Sequence, residues 1–272
     1  MLKIDAQTKL FGILGDRISY TLSPAIHNLV FSKTGFNAVY LVFDVPRDRF
    51  QQAIEGLLAL AEGFNVTTPY KEQVVLYLRG LDVSAEKVGA VNTVHRGVGY
   101  NTDYMAVKQL VWEAVGRLAG GECLVAGAGG AAKASALALA ELGCTVRVLN
   151  RTRARAEELV ARLNTLALNA TVEDRCERVY DVLVNATPDP EWVLRQGCEA
   201  RELALDLVYR PVVTKLIARA LERGARVVTG LHVLIRQALL AQSIWQSRDL
   251  GYLEEEVRDY LCLEILSGEC LE

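Results

Sequence analysis

The sequence predicts an α/β fold divided into two domains, and three observations predict it. Short apolar strands alternate with helical stretches from Phe11 to Val228. A glycine turn joins strand to helix directly after Cys123-Leu124-Val125-Ala126. The length of 272 residues, 51% apolar and 23% charged, is enough for two domains of ordinary size, each with its own core.

The elements follow in order. In the first hundred residues, strands at Phe11 to Leu14, Tyr40 to Phe43 and Phe64 to Val66 are separated by helical stretches beginning near Pro24, Pro46 and Pro69. Val91 to His95 and Val98 to Tyr100, bracketing Arg96-Gly97, read as a hairpin. A helix from about Tyr104 to Val115 carries the chain onward, and Gly116 and Gly120-Gly121 break it off. Then come strand Cys123 to Ala126, helix Ala131 to Leu142 and strand Thr145 to Leu149, the opening of a doubly wound sheet. Further buried strands are expected at Asp181 to Val184, Ala204 to Val208 and Arg226 to Val228, with a helix from Val213 to Arg223 stopped by Gly224. Two helices close the chain, Leu231 to Trp245 and Leu253 to Ile265. The second carries Leu253, Val257, Tyr260, Leu261 and Ile265 on one face.

Composition narrows the function. A net charge of -3 and a pI near 5.8 imply no basic nucleic-acid surface, so a small substrate is expected. There is no apolar run of membrane-spanning length and no leader pattern, which reads as soluble and cytoplasmic. Six cysteines lack CxxC spacing and three histidines form no ligand pattern, so no metal is expected. Cytosolic cysteines are usually free thiols, although a hyperthermophile can pair some of them, and the sequence leaves both open.

Gly127-Ala128-Gly129-Gly130-Ala131-Ala132 fits GxGxxA between a strand and a helix. Glycines there let the backbone approach a pyrophosphate whose charge meets the helix N-terminus. About twenty residues on, where an NAD site usually places a carboxylate for the ribose 2′-hydroxyl, this chain has Asn150-Arg151-Thr152-Arg153-Ala154-Arg155. Arginines suit a 2′-phosphate, so NADP is the expected cofactor, with a Rossmann-type domain holding it. The bland reading makes Thr152 a helix cap and the arginines a solvated face.

Asn65-Val66-Thr67-Thr68-Pro69-Tyr70-Lys71 reads as a strand end, a cap at Thr68, proline at the first helical position and Lys71 at the third. A cation in a first helical turn opposes the macrodipole, so Lys71 breaks a local rule.

With these residues in view, the chain resembles the shikimate and quinate dehydrogenase family. Asn65-Val66-Thr67-x-Pro69-x-Lys71, Ala90-Val91-Asn92-Thr93, Gly99-Tyr100-Asn101-Thr102-Asp103 and Gly127 to Ala132 stand in that family's order and spacing. Asn150-Arg151-Thr152, Asn185-Ala186-Thr187, Asp206-x-x-Tyr209-x-Pro211-x-x-Thr214 and Gly230-Leu231 followed by Gln237 extend the likeness essentially end to end. The resemblance implies an NADP-dependent oxidoreductase that reduces 3-dehydroshikimate to shikimate in chorismate and aromatic amino-acid biosynthesis. Lys71 and Asp103 would be its catalytic pair. A cationic proton donor beside a developing alkoxide suits that chemistry, although Asp103 also reads as a helix cap.

The resemblance also places Thr21 and Ser23 at the substrate carboxylate, with Asn65, Thr67, Asn92, Tyr209 and Gln237 at its hydroxyls. Ser23 as cap and Pro24 as first helical residue is sound local chemistry by itself. The cofactor contacts it implies are Gly127, Ala128, Gly129, Gly130, Ala131, Asn150, Arg151, Thr152, Arg155, Thr187, Leu207 and Gly230. It divides the chain into a substrate domain, residues 1–105 with the C-terminal helices of 232–272, and an NADP domain, 106–231, with hinge closure near Tyr104 and Leu231. Thr21 in place of serine, Tyr104 where glycine is common, Pro188-Asp189-Pro190 and His232-Val233 depart from the family pattern and bear on the choice between shikimate and quinate. A quinate/shikimate enzyme and a non-catalytic NADP-binding regulator are the competing readings; a monomer or homodimer is expected.

Overall fold

The computed structural model describes residues 4–176, 178–266 and 270. By its internal contacts the chain forms two compact units: one from the N-terminal segment through Thr102 together with the segment from Ile235, the other from Asp103 to Leu234. Both divisions fall inside helices.

The first unit contains β1 (Lys9–Gly15), α1 (Ser23–Thr34), β2 (Ala38–Asp44), α2 (Phe50–Leu60), β3 (Gly63–Val66), β4 (Gly80–Leu81), α3 (Val83–Val88), β5 (Thr93–His95) and β6 (Val98–Tyr100). Its sheet runs β2-β1-β3-β5-β6-β4 and is mixed. β1 lies between two parallel neighbours, while β3, β5 and β6 pair antiparallel through the hairpin. Register and the two-residue period put Phe11, Ile13, Tyr40 and Asn65 on one face of the sheet. On that face Phe11, Ile13, Phe31 and Tyr40 pack with Ala241 and Trp245 in one apolar cluster. The opposite face is filled by Leu14, Phe50, Ile54, Phe64 and Tyr70.

The second unit contains α4 (Thr102–Val115), β7 (Glu122–Ala126), α5 (Gly130–Glu141), β8 (Thr145–Leu149), α6 (Arg153–Thr165), β9 (Ala170–Glu173), β10 (Val179–Asn185), α7 (Pro190–Arg195), β11 (Glu199–Asp206), α8 (Lys215–Glu222) and β12 (Arg226–Val228). All six strands are parallel, in the order β12-β11-β10-β7-β8-β9. That is the doubly wound dinucleotide order, with its switch point between β7 and β10. The strand β9 carried no clear sequence signal. The long α9 (Gly230–Gln246) follows, then α10 (Glu254–Tyr260), which gives way to a wider π-type turn at Leu261–Ile265 where one continuous helix was expected.

Two local expectations are corrected. No α-helix begins at Thr68: the Thr68–Pro69 peptide is cis, Tyr70 N–H closes a tight turn onto Thr67 O at 2.9 Å, and only a 3-10 turn, Gln73–Tyr77, follows. The cause is Tyr70, which is buried against Phe50 at 4.4 Å and whose hydroxyl donates to Val45 O at 2.6 Å. The helix-dipole argument for Lys71 therefore does not apply. Next, Ser23 is the first residue of α1, and the cap position belongs to Leu22. The cysteines, whose state the sequence leaves open, are paired, Cys123 with Cys144 and Cys176 with Cys198, and Cys262 and Cys270 are also disulfide-bonded.

Candidate active site

In the first unit the predicted substrate residues gather at the carboxyl ends of β1 and β3. Thr67 N–H donates to Leu14 O at 2.9 Å, and the Thr67 methyl rests where a side chain on Gly15 would be, 2.6 Å from a built Cβ. Val66 N–H donates to Asn92 O at 2.9 Å, and Val91 N–H donates to Lys71 O at 2.8 Å. The backbone of Lys71 is thereby fixed beside Asn92, and its side chain is half-buried.

The polar side chains form a pair, Thr21 with Ser23, and a continuous chain from Tyr40 to Gln237. The Thr21 hydroxyl donates to Ser23 Oγ at 3.1 Å. Tyr40 donates to Asn65 Oδ1 at 2.7 Å, and Asn65 Nδ2 donates to Thr93 Oγ1 at 3.0 Å and to Asn92 O at 3.1 Å. Thr93 passes to Asn92 Oδ1 at 3.2 Å, and Asn92 Nδ2 to Gln237 Oε1 at 3.4 Å. Every member from Ser23 to Gln237 is buried, and each is a neutral hydroxyl or amide. Thr21 now has a structural role as well, since its Oγ1 accepts the Ser23 N–H at 3.3 Å. Asn92 also anchors the start of α4, its Oδ1 accepting the Thr102 N–H at 2.7 Å.

Tyr40 and Thr93 were missed as site residues. In an alternating strand a tyrosine reads as core, and Tyr40 is core as well: it is 1% exposed and stacked on His27 at 4.2 Å. Burial depresses the His27 imidazole to about 3, so that histidine is neutral. The same burial raises the Tyr40 phenol far above its ordinary value and keeps it protonated.

The second unit carries the remaining predictions. Asp103 is the second residue of α4, in its first turn, and is not a cap. Gly127 has φ +116°, and a Cβ there would lie 3.0 Å from Ala186 O, so only glycine lets β7 turn this tightly against the loop after β10. Gly129 caps α5 in extended conformation, and a Cβ added to it meets nothing within 4 Å. Space and unpaired helix-end amides together make an anion cradle that fits a pyrophosphate. Ala128 is buried beneath it, and Gly130 and Ala131 open α5.

After β8, Thr152 holds the cap position of α6 without a side-chain capping bond, and Asn150 Nδ2 donates to Thr152 O at 2.9 Å. Arg153 is engaged by Glu157 at 2.8 Å and by Asp174. Arg151 and Arg155 are exposed and make no such pair among the described residues, which leaves two guanidinium groups for a phosphate. Thr187 is held by Asn185, whose Oδ1 accepts both its N–H at 3.1 Å and its hydroxyl at 2.7 Å. Asn185 Nδ2 donates to Asp206, a fully buried carboxylate that also accepts from Val208 N–H and from the Thr214 hydroxyl at 2.7 Å. Burial holds the Asp206 carboxyl above its ordinary range, and the three donors oppose that shift. These bonds fix the turn bearing Leu207 and Tyr209. Gly230 packs on the same turn, where a Cβ would fall 2.5 Å from the Val208 carbonyl. Tyr209, expected at the substrate, thus belongs to this unit.

Among the described residues no cluster suited to a metal ion is found, and no helix is long and apolar enough to cross a membrane.

Comparison with known proteins gives the following. Residues 13–94 match the family model described as shikimate dehydrogenase substrate binding domain, and residues 109–206 match that of shikimate / quinate 5-dehydrogenase. The chain is 46% identical to a shikimate dehydrogenase (NADP(+)) of Saccharolobus islandicus over 95% of this chain and 96% of the relative. Among solved structures it is similar to shikimate dehydrogenase from Aquifex aeolicus, with TM-score 0.82 and 31% identity over 94% of this chain and 99% of that one. It is similar also to the Thermus thermophilus enzyme in complex with NADP(H) and shikimate, with TM-score 0.77 and 33% identity over 93% and 99% of the two chains.

Proposed function

This chain belongs to the shikimate dehydrogenase family, and on that premise we propose that it interconverts 3-dehydroshikimate and shikimate with NADP(H) in the route to chorismate and the aromatic amino acids. The observation that carries the reading is the buried chain of neutral hydroxyls and amides from Tyr40 to Gln237 with the Thr21–Ser23 pair, joined in the same unit by the half-buried cation Lys71. Amides and hydroxyls match the hydroxyls of a polyol ring, while a carboxylate finds the Ser23 hydroxyl, held by Thr21, and the N-terminal field of α1. Thr67 and Tyr209 supply further hydroxyls.

NADPH, when bound, supplies the hydride that reduces the ketone carbon. The cradle Gly127 to Ala131 would hold its pyrophosphate, Arg151 and Arg155 its 2′-phosphate with Asn150 and Thr152 beside them, and Thr187, Leu207 and Gly230 the remainder. Lys71 gives a proton to the ketone oxygen and takes it back in the reverse direction. Its charge stabilises the alkoxide as it develops, and Asp103 orients the ammonium and completes the proton path. Residues 1–105 with 232–272 bind the substrate, and 106–231 bind NADP(H). The enzyme works in the cytoplasm, as a monomer or homodimer.

NADPH absorbance followed with purified protein and 3-dehydroshikimate tests the reading, together with the reverse reaction on shikimate or quinate and NADP or NAD. Turnover of shikimate with NADP and little of quinate is expected. A preference for quinate would make it a quinate enzyme, and silence with intact NADPH binding would make it a regulator.

A further inference from the structure

Tyr40 stands at the head of the polar chain and is no part of any motif that identified the site. Its ring is clamped on His27, and its backbone N–H donates to Asn28 Oδ1 at 2.9 Å while Asn28 Nδ2 donates back to Tyr40 O at 3.0 Å. His27 is in turn held by Gln242, whose Nε2 lies 3.0 Å from Nδ1. The phenol therefore cannot move without displacing α1, and its direction is set.

The order of donors is also set. Both hydrogens of Asn65 Nδ2 are used, on Asn92 O and Thr93 Oγ1, so the oxygen of that amide faces Tyr40 and Tyr40 must donate to it. Having given its one proton to Asn65, the phenol has no second hydrogen to donate. Asn65 is left with one lone pair and no hydrogen to offer. A ligand group at Asn65 must then donate: a hydroxyl satisfies the position, and a ketone, an ether oxygen or a bare carbon does not.

We propose that Tyr40 is a specificity-determining positioning residue, which occupies one lone pair of the Asn65 amide oxygen, holds that oxygen in place and leaves its other lone pair to the ligand, and so selects a substrate bearing a hydroxyl at that point of the ring. The inference rests on the placement of Asn65 at the substrate. Tyr40 acts only through Asn65 and touches neither the proton in transfer nor the cofactor.

Tyr40→Phe keeps the ring stack and removes the donor. Steady-state kinetics should show the KM for shikimate raised about two- to tenfold, the range a neutral hydrogen bond supplies, with KM for NADP unchanged and kcat within about a factor of two. The preference for shikimate over its deoxy analogues should shrink in step. In an Asn65→Ala background the same substitution should add no further loss, because the amide it orients is gone. An unchanged KM for shikimate in Tyr40→Phe, or an undiminished loss in the Asn65→Ala background, overturns the proposal. Should Tyr40→Phe not fold, a fluorotyrosine at position 40 keeps the shape and donates more strongly. It must lower KM for shikimate, and no change overturns the proposal. If the wild-type enzyme does not turn over shikimate at all, the functional reading fails first, and the two failures are distinct.

Discussion

The two units solve recognition in opposite ways. In the first, the polar groups are neutral, buried and bonded to one another, and the sheet that carries them also forms the apolar core. In the second, the recognising groups are backbone amides at a helix end and exposed arginines, and the buried polar network of Asn185, Asp206 and Thr214 serves to hold loops. A polyol ring demands donors and acceptors in a fixed order, which only a preorganised interior keeps in place. A phosphate demands positive field, which a helix end and mobile guanidinium groups supply from the surface. Geometry limits the first unit, and charge limits the second.

The sharpest test of the first unit is its one exception to neutrality. Lys71→Ala should lower kcat about a hundredfold to ten-thousandfold, with NADP binding intact and thermal unfolding little changed. A variant retaining turnover would remove the acid–base assignment. The second unit carries two covalent links of its own, Cys123–Cys144 and Cys176–Cys198, closing segments separated by 21 and 22 residues. Replacing Cys123 and Cys144 together by Ala should cost about 3 kcal/mol, read as a lowered unfolding midpoint in denaturant. Unchanged midpoints would mean the link adds nothing to the fold.

Acid should find the first unit instead. His27 is held at about 3 by burial, below its ordinary 6.5, so the unfolded chain takes up the proton before the folded one does. Its contribution is whole above about pH 6.5 and shrinks as pH falls toward 3, by about 1.4 kcal/mol per unit. Asp206, raised by burial, works the other way: the folded state protonates first, and acidification relieves its cost. Removing the imidazole with His27→Gln should flatten the acid slope of stability measured between pH 6.5 and 4. An unaltered slope would place the acid sensitivity elsewhere. The smallest effect belongs to the charged surface: Arg151→Ala with Arg155→Ala should raise KM for NADP about tenfold or more at low salt and leave KM for NAD unchanged. Equal losses for both cofactors would separate these arginines from the 2′-phosphate.

Legibility in the sequence followed the same division. The glycine turn, the strand order it implies and the arginines after β8 were readable because a phosphate site is local: a run of about thirty residues holds its signal. The residues of the substrate unit were readable only through family likeness, since Thr21, Asn65, Asn92 and Gln237 are brought together by β1, β3, β5 and α9. Tyr40 and Thr93 were hidden, because an alternating strand makes a polar linker look like core. Lys71 was placed by motif but for a wrong local reason: proline promised a helix start, and the buried Tyr70 made a turn instead. The arginine run gave no hint that Arg153 is spent on Glu157 and Asp174, leaving Arg151 and Arg155. The disulfides could not be read either, since spacing alone does not say which thiols meet.

Calorimetric titration of shikimate and of NADP into Asn65→Ala and into the Arg151→Ala, Arg155→Ala protein addresses the division of labour most directly. The account predicts a crossed result, with Asn65→Ala weakening shikimate alone and the arginine replacements weakening NADP alone. Loss of both ligands in either protein, or loss of NADP in Asn65→Ala, would contradict it.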